Sequence, residues 1–121
     1  MEELNEGQIQ AIKHFRGPCL TLAGPGAGKT KVITLRTKEL IENRQVNPAD
    51  ILVVTFTKAA ATEMRERFTK LMGRRAPVTF GTFHAVFFSI LKYAYHYTAE
   101  NIVREEQKFL LMRDMVRRFH L

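Results

Sequence analysis

A chain of 121 residues that is 45% hydrophobic and 26% charged has material for one compact domain and the composition of a folded soluble protein, which excludes wholesale disorder. A single cysteine, Cys19, excludes a disulfide framework and a cysteine metal cluster, and no apolar run approaches the ~18 residues of a membrane span. The net charge of +7 is uneven, with 8 Lys/Arg against 6 Asp/Glu in residues 1–60 and 11 against 6 in residues 61–121, a balance that attracts polyanions such as nucleic acid.

The chain opens with "MEELNEGQIQ", which is acidic and lacks the apolar centre of a secretion signal, so a cytoplasmic setting is the expectation. In "LNEGQIQAIKHF" the apolar residues Ile9, Ile12 and Phe15 recur at helical spacing. Asn5 followed three residues later by Gln8 fits a capping box at the helix start. "PCLTLAG" is a short apolar run after a proline and predicts a buried strand. From Gly28 to about Asn43 the pattern is helical, with Val32, Leu35 and Leu40 as core candidates.

"NPAD" predicts a turn, and "ILVVTF" is the most strand-like run in the chain. "KAAATEMRERFTKLM" follows, rich in strong helix formers, with Gly73 placed to end it. "APVTFGTF" predicts a third strand, and a helix is expected from about Thr82 to Tyr95, with Phe83, Phe87, Ile90 and Leu91 as its core stripe. "TAEN" breaks the pattern before an amphipathic closing helix, "EEQKFLLMRDMVRRFHL". Strands alternating with helices predict an α/β fold around a parallel sheet, and three strands leave such a sheet incomplete.

"AGPGAGKT", Ala23 to Thr30, stands between a predicted strand and a predicted helix, the setting a phosphate-binding loop requires. Gly24, Gly26 and Gly28 free the backbone that runs through Ala23, Pro25 and Ala27 to curl around phosphate oxygens, and the residues other than proline present N–H groups to them. The start of the following helix, with Lys31, adds the positive end of its dipole. Lys29 reaches the outer phosphates of such a ligand, and the Thr30 hydroxyl is placed to ligate Mg²⁺; these two carry the catalytic expectation. The general pattern begins with Gly, and this chain has Ala23 there.

"LNEGQIQAI" before the loop, "VTFTKAAATEMRERF" after the second strand and "TFGTFHA" at the third resemble, in order, the opening motifs of superfamily 1 DNA helicases of the UvrD/Rep/PcrA type. That family typically writes its loop with Ala first, as here. The resemblance spans Leu4 to at least Ala85 and implies a partial P-loop NTPase sheet of the RecA-like kind. It assigns residues 1–95 to the N-terminal part of motor domain 1A and residues 96–121 to the start of a helical 1B-like insertion.

It further implies ATP and Mg²⁺ as cofactors, with Gln8 pairing with the adenine edge. Single-stranded DNA is the implied partner. Thr55, Phe56, Thr57 and Lys58 from one motif, and Thr82, Phe83 and His84 from the next, are its implied contacts. Many relatives have Asn-Lys where this chain has Lys58-Ala59, which moves the cation one position earlier.

Hydrolysis on such a scaffold needs a carboxylate pair after a neighbouring strand. The chain's two aspartates are Asp50, before the "ILVVTF" strand, and Asp114, in the closing helix. The expectation is therefore the N-terminal segment of an ATP-dependent DNA helicase, which binds nucleotide and is inactive by itself. A P-loop small-molecule phosphotransferase is the alternative. Phe109, Met112, Val116 and Phe119 form one stripe on the closing helix and predict self-association.

Overall fold

The computed structural model describes residues 3–120. Met1 and Glu2 at the acidic start, and Leu121, to which the closing helix is expected to run, lie outside the described residues. The chain forms two compact units that divide after Phe83. The first contains helices α1 (Glu6–Lys13), α2 (Lys29–Glu42) and α3 (Lys58–Met72) and strands β1 (Leu52–Thr55) and β2 (Thr79–Thr82). Helix α4 (Phe83–Tyr95) leads into the second unit, which also holds α5 (Glu105–Phe119).

Local signals set the ends of these elements. Asn5 caps α1: its side chain accepts from the N–H of Gln8 at 2.9 Å, and Gln8 Oε1 accepts from the N–H of Asn5 at 2.9 Å. The predicted capping box is present in full. Thr57 caps α3 by accepting from the N–H of Ala60 at 3.1 Å. Gly73 ends that helix at φ 70°, in the left-handed region where a residue without Cβ is at ease. Pro48–Asp50 is a short 3-10 turn that delivers the chain to β1.

The two strands are parallel, with Leu52 opposite Thr79 and Thr55 opposite Thr82. Helix α3 is the crossover between them, the connection a parallel pair needs. It lies against both strands and packs on α2, which packs on α1. The core sits beneath α3, where Met64, Phe68, Val78 and Phe80 are buried together, with Ile41, Ile51 and Val53 packed against them. The Phe68 and Phe80 rings meet at 5.5 Å. Arg65 donates to the Phe80 carbonyl at 2.8 Å and ties helix to strand.

Five sequence expectations are corrected by this arrangement. "PCLTLAG" forms no strand, and Leu20 and Leu22 are 86% and 87% exposed. β-Structure needs a neighbour for its N–H and C=O groups. Among the described residues β1 and β2 pair only with each other, so this run has no ladder to join. The sheet accordingly has two strands rather than three.

On α2 the fully buried residues are Thr34 and Thr37, whereas Val32, Leu35 and Leu40 are half-buried. Each threonine satisfies its hydroxyl within the helix, Thr34 on the Thr30 and Lys31 carbonyls and Thr37 on that of Ile33 at 2.8 Å. A β-branched side chain with its one donor spent packs much like valine. On α1, Ile12 is buried together with Ala11, while Ile9, and Phe15 beyond the end of that helix, stay near 38% exposed.

The stripe assigned to α4 is likewise wrong. Phe83, Phe87 and Ile90 are exposed, Leu91 is half-buried, and Val86 is the buried residue. "FHAVFFSIL" is apolar nearly all round, so its periodicity cannot choose an inward face. In α5 no residue is buried, and Phe109, Met112, Val116 and Phe119 are all exposed.

Candidate functional site

Two features of the first unit carry chemistry, and the architecture builds each differently. The phosphate-loop sequence is shaped by its own turn chemistry. Pro25 and Gly26 occupy the corners of a turn closed by the N–H of Ala27 on the Gly24 carbonyl at 3.2 Å. Gly26 has φ 74°, as a type II turn demands of its third residue. Gly28, at φ 75°, then turns the chain into α2, whose ladder begins with the N–H of Val32 on the Gly28 carbonyl. Ala23 and Gly24, both exposed, lead into the loop from a segment without regular secondary structure.

The charge at this end of α2 runs against the helix's own preference. Lys29 and Lys31 stand in its first turn, where no acid is present, and Glu39 and Glu42 stand in its last, where no base is present. That order opposes the macrodipole at both ends. A local rule broken in this way is relieved by an anion at the N-terminus. Lys29 is exposed and takes part in no ion pair among the described residues, and Thr30 is half-buried beside it.

The loop borders a cleft of about 740 Å³ lined by residues of α1, α2 and the irregular segment between them, including Gln8, Leu22, Lys29, Val32 and Arg36. Its size suits a mononucleotide, and its lining mixes apolar wall with a few polar groups, as ligand clefts do. The arrangement of left-handed glycines, helix N-terminus, exposed lysine and adjacent hydroxyl fits a magnesium triphosphate. Gln8 faces this loop. Its Nε2 donates to the Ala27 carbonyl at 3.0 Å, a bond between residues 19 apart.

Arg36 is a residue that motif reading passed over. It donates to the carbonyls of Ala11, at 2.6 Å, and His14, so it closes the C-terminal end of α1 and fixes that helix on α2. Its sequence signal was an arginine in the middle of a predicted helix, too common to single out.

The second feature arises from the parallel register. Thr55 and Thr82 are partners across the ladder, so the residues that follow them leave the same end of the sheet. Phe56 and Phe83 thereby come together, with ring centroids 5.7 Å apart at a 48° tilt. Phe56 is 92% exposed and Phe83 42% exposed. The C-terminal end of parallel strands is where α/β proteins place ligands, and here it presents an aromatic pair to solvent. Lys58 is exposed beside it in sequence, and His84, also exposed, opens the second unit.

The threonines of this region carry local duties. The Thr55 hydroxyl donates to the Thr57 carbonyl at 2.9 Å, and Thr57 is the cap of α3. Each hydroxyl oxygen keeps a lone pair with which to accept, but their protons are not both available to an outside phosphate. Asp50 lies just ahead of β1, at the opposite end of that strand from Thr55, and Asp114 pairs with Arg118 at 3.7 Å within α5.

Residues 4–118 match the family described as the UvrD/REP helicase N-terminal domain. The chain is 42% identical over 93 residues to the ATP-dependent DNA helicase PcrA of Staphylococcus aureus, an overlap of 76% of this chain and 13% of that protein. It is 44% identical over 94 residues to the ATP-dependent DNA helicase Rep of Escherichia coli, covering 76% of this chain and 14% of Rep. A third relative, the putative ATP-dependent DNA helicase YjcD of Bacillus subtilis, is 41% identical over 92 residues, 73% of this chain and 12% of its own length. The chain belongs to the UvrD/REP helicase N-terminal domain family, and it spans about one seventh of the length of these relatives.

Proposed function

We propose that this chain is the ATP-binding and single-stranded-DNA-binding N-terminal segment of an ATP-dependent DNA helicase or translocase. The observation that carries the reading is the loop itself: left-handed Gly26 and Gly28 at the N-terminus of α2, with Lys29 exposed, in a chain whose relatives are named as ATP-dependent DNA helicases. In this reading residues 1–95 form part of a RecA-like motor domain 1A, and residues 96–121 begin a 1B-like helical insertion.

Backbone from Ala23 to Gly28, with Lys29, Thr30 and Lys31, holds the triphosphate, and the Thr30 hydroxyl is the chain's ligand to Mg²⁺. Gln8 stands at the adenine side of the cleft. Magnesium ATP, when bound, supplies the cleavable phosphoanhydride that drives movement in the whole protein. What these residues contribute is retention and orientation of its phosphates.

Thr55 to Lys58 and Thr82 to His84 supply the DNA-facing surface. Phe56 and Phe83 offer faces on which bases stack, and Lys58 offers charge to the backbone. With no carboxylate pair behind a strand among the described residues, the chain by itself holds nucleotide without turning it over.

The test is Lys29→Ala. In the parent chain, ATP at a hundredfold excess over its Kd raises stability by about 2.7 kcal/mol, visible as a rise in Tm. The variant should keep its fold and lose that rise. An unchanged ATP-induced shift in Lys29→Ala refutes the loop assignment. Single-stranded DNA should also raise Tm, while a nucleoside monophosphate should not; the reverse pattern identifies a phosphotransferase.

A further inference from the structure

We infer that the first unit carries a second polyanion site, at the end of the sheet opposite the Phe56–Phe83 pair, and that this site holds the phosphate backbone of duplex DNA. The inference rests on the DNA-binding reading of the chain and adds a surface to it.

Topology gathers the residues. Parallel strands are entered from one end, so the segments ahead of β1 and β2 lie together there, with Leu52 opposite Thr79. Arg44 stands ahead of β1, between α2 and the Pro48–Asp50 turn, and Arg74 and Arg75 stand ahead of β2, just past Gly73. Helix α1 ends at the same place, because Arg44 donates to the Lys13 carbonyl at 3.5 Å. Lys13, Arg16, Arg44, Arg74 and Arg75 are all exposed, and none makes an ion pair among the described residues. The acids at this end do not neutralise them. Glu42 lies 4.0 Å from Lys38, Glu39 accepts from the Asn43 side chain, and Asp50 is a single charge.

The centre of the cluster is ordered before any ligand arrives. The guanidiniums of Arg44 and Arg16 lie 5.2 Å and 5.7 Å from the Phe15 ring centroid. His14 Nε2 donates to the Gly17 carbonyl at 3.1 Å, with Gly17 at φ 80°, and this closes the turn that carries Phe15 and Arg16. On the other side Gln45 holds φ 56°, a left-handed conformation that favours glycine, while the N–H of Val46 bonds to the Leu40 carbonyl at 2.9 Å. Strain of this kind persists only where the surroundings fix it, and here it accompanies the return of Arg44 onto Phe15 and Lys13.

Helix-end electrostatics accounts for part of the cluster. Cations beside the last carbonyls of a helix answer its dipole, and Arg36 and Arg44 do so by donating to the carbonyls of Ala11, His14 and Lys13. Arg16 has no such duty. Its guanidinium makes no hydrogen bond or ion pair among the described residues and rests over Phe15. Like charges held close without a counter-ion repel one another, and the paired N–H groups of a guanidinium match the oxygens of a phosphate.

The same arrangement favours paired DNA. A ring attended by two guanidiniums and 38% exposed offers a base less than Phe56 does at 92%. A duplex keeps its bases stacked inside and presents one phosphate charge per ~1.7 Å of axis, so it calls for cations and no ring.

The experiment measures binding of a short blunt DNA duplex and of oligothymidylate by fluorescence anisotropy over a range of salt concentrations. Arg16→Gln is the main variant, since no backbone group depends on that side chain. Arg44→Gln is the second, and melting curves are recorded for both; if Arg44→Gln melts early, Arg16→Gln decides. Each variant should lower the slope of log affinity against log salt for the duplex by about 0.9, one phosphate contact, and weaken duplex binding about three- to tenfold at low salt. Arg16→Lys should restore most of that slope. Oligothymidylate affinity should stay within about twofold of the parent chain, because exposed charges beyond a Debye length of about 10 Å are screened. Phe56→Ala should show the reverse pattern, keeping the duplex and losing oligothymidylate.

A parent chain that binds no duplex, or an unchanged duplex slope in Arg16→Gln, overturns the inference. An equal loss for duplex and oligothymidylate also overturns it, because the charge then acts only as part of the general field. A parent chain that binds duplex through Arg16 and does not bind oligothymidylate leaves this site standing and removes the single-strand reading of the aromatic pair, a separate failure.

Discussion

Two phenylalanines in this chain should respond oppositely to the same substitution. Phe56 follows β1 and is 92% exposed; Phe68 lies on the inner face of α3 and is 1% exposed. An aromatic side chain buries 150–250 Å² when fully enclosed, so Phe56 hides roughly 20 Å², worth about 0.5 kcal/mol at about 25 cal/mol per Å². Phe56→Ala should therefore leave thermal stability nearly unchanged. Phe68→Ala empties the centre of the Met64–Val78–Phe80 cluster and should cost about 3–5 kcal/mol, a large part of the stability of so small a core.

For DNA the ranking reverses. Stacking a base on an aromatic ring is worth about 1–3 kcal/mol, a factor of roughly 5 to 150 in affinity. Phe56→Ala should lose that factor for a labelled oligothymidylate in fluorescence anisotropy at one fixed salt concentration, with the melting curve recorded on the same preparation. Binding unchanged within twofold would remove the aromatic pair from the DNA surface. A melting loss as large as that of Phe68→Ala would show that the exposure of Phe56 misrepresents its role.

Gly73 ends α3 at φ 70°, and a Cβ there would meet nothing within 4 Å, so Gly73→Ala isolates the backbone penalty. It should cost about 1–2 kcal/mol and lower Tm by several degrees; an unchanged Tm would mean that α3 unwinds there at no cost. On α5, Met112 and Val116 lie in an exposed apolar stripe, and the parent chain should exceed monomer mass in light scattering at micromolar concentration. Val116→Lys should return it to monomer, and a strictly monomeric parent chain would count against association through this helix.

The elements written in local code were legible from the sequence. Asn5 with Gln8 at the head of α1 and Gly73 at the foot of α3 each act within a few residues, so their meaning survives without the rest of the fold. Helix α3 was predicted at its observed limits for that reason. Features that depend on distant segments were not legible. The inward face of α2 runs through Thr34 and Thr37, which read as polar until their hydroxyls are seen bonded back into the helix. The Gln8–Ala27 bond crosses 19 positions and carries no periodicity. The DNA-facing motifs were visible as words, but the duty of Thr57 as a helix cap competes with the outward hydroxyl expected of it.

The run from Pro18 to Gly24 explains why the phosphate loop can be formed where the strand before it is not. A strand is a relation between two segments, and "CLTLA" has the right residues with no partner, which leaves Leu20 and Leu22 in solvent. The loop that follows owes nothing to a ladder. Its turn is closed by its own Gly24 carbonyl, its exit is set by Gly28 and the start of α2, and its middle is held by Gln8 from α1. Helix α1 is in turn anchored on α2 by Arg36, so loop, α1 and α2 form a closed circuit of hydrogen bonds. The loop's geometry should therefore depend on that circuit more than on the sheet. Substitutions at Gln8 or Arg36 should disturb it before any change to Leu20 or Leu22 does.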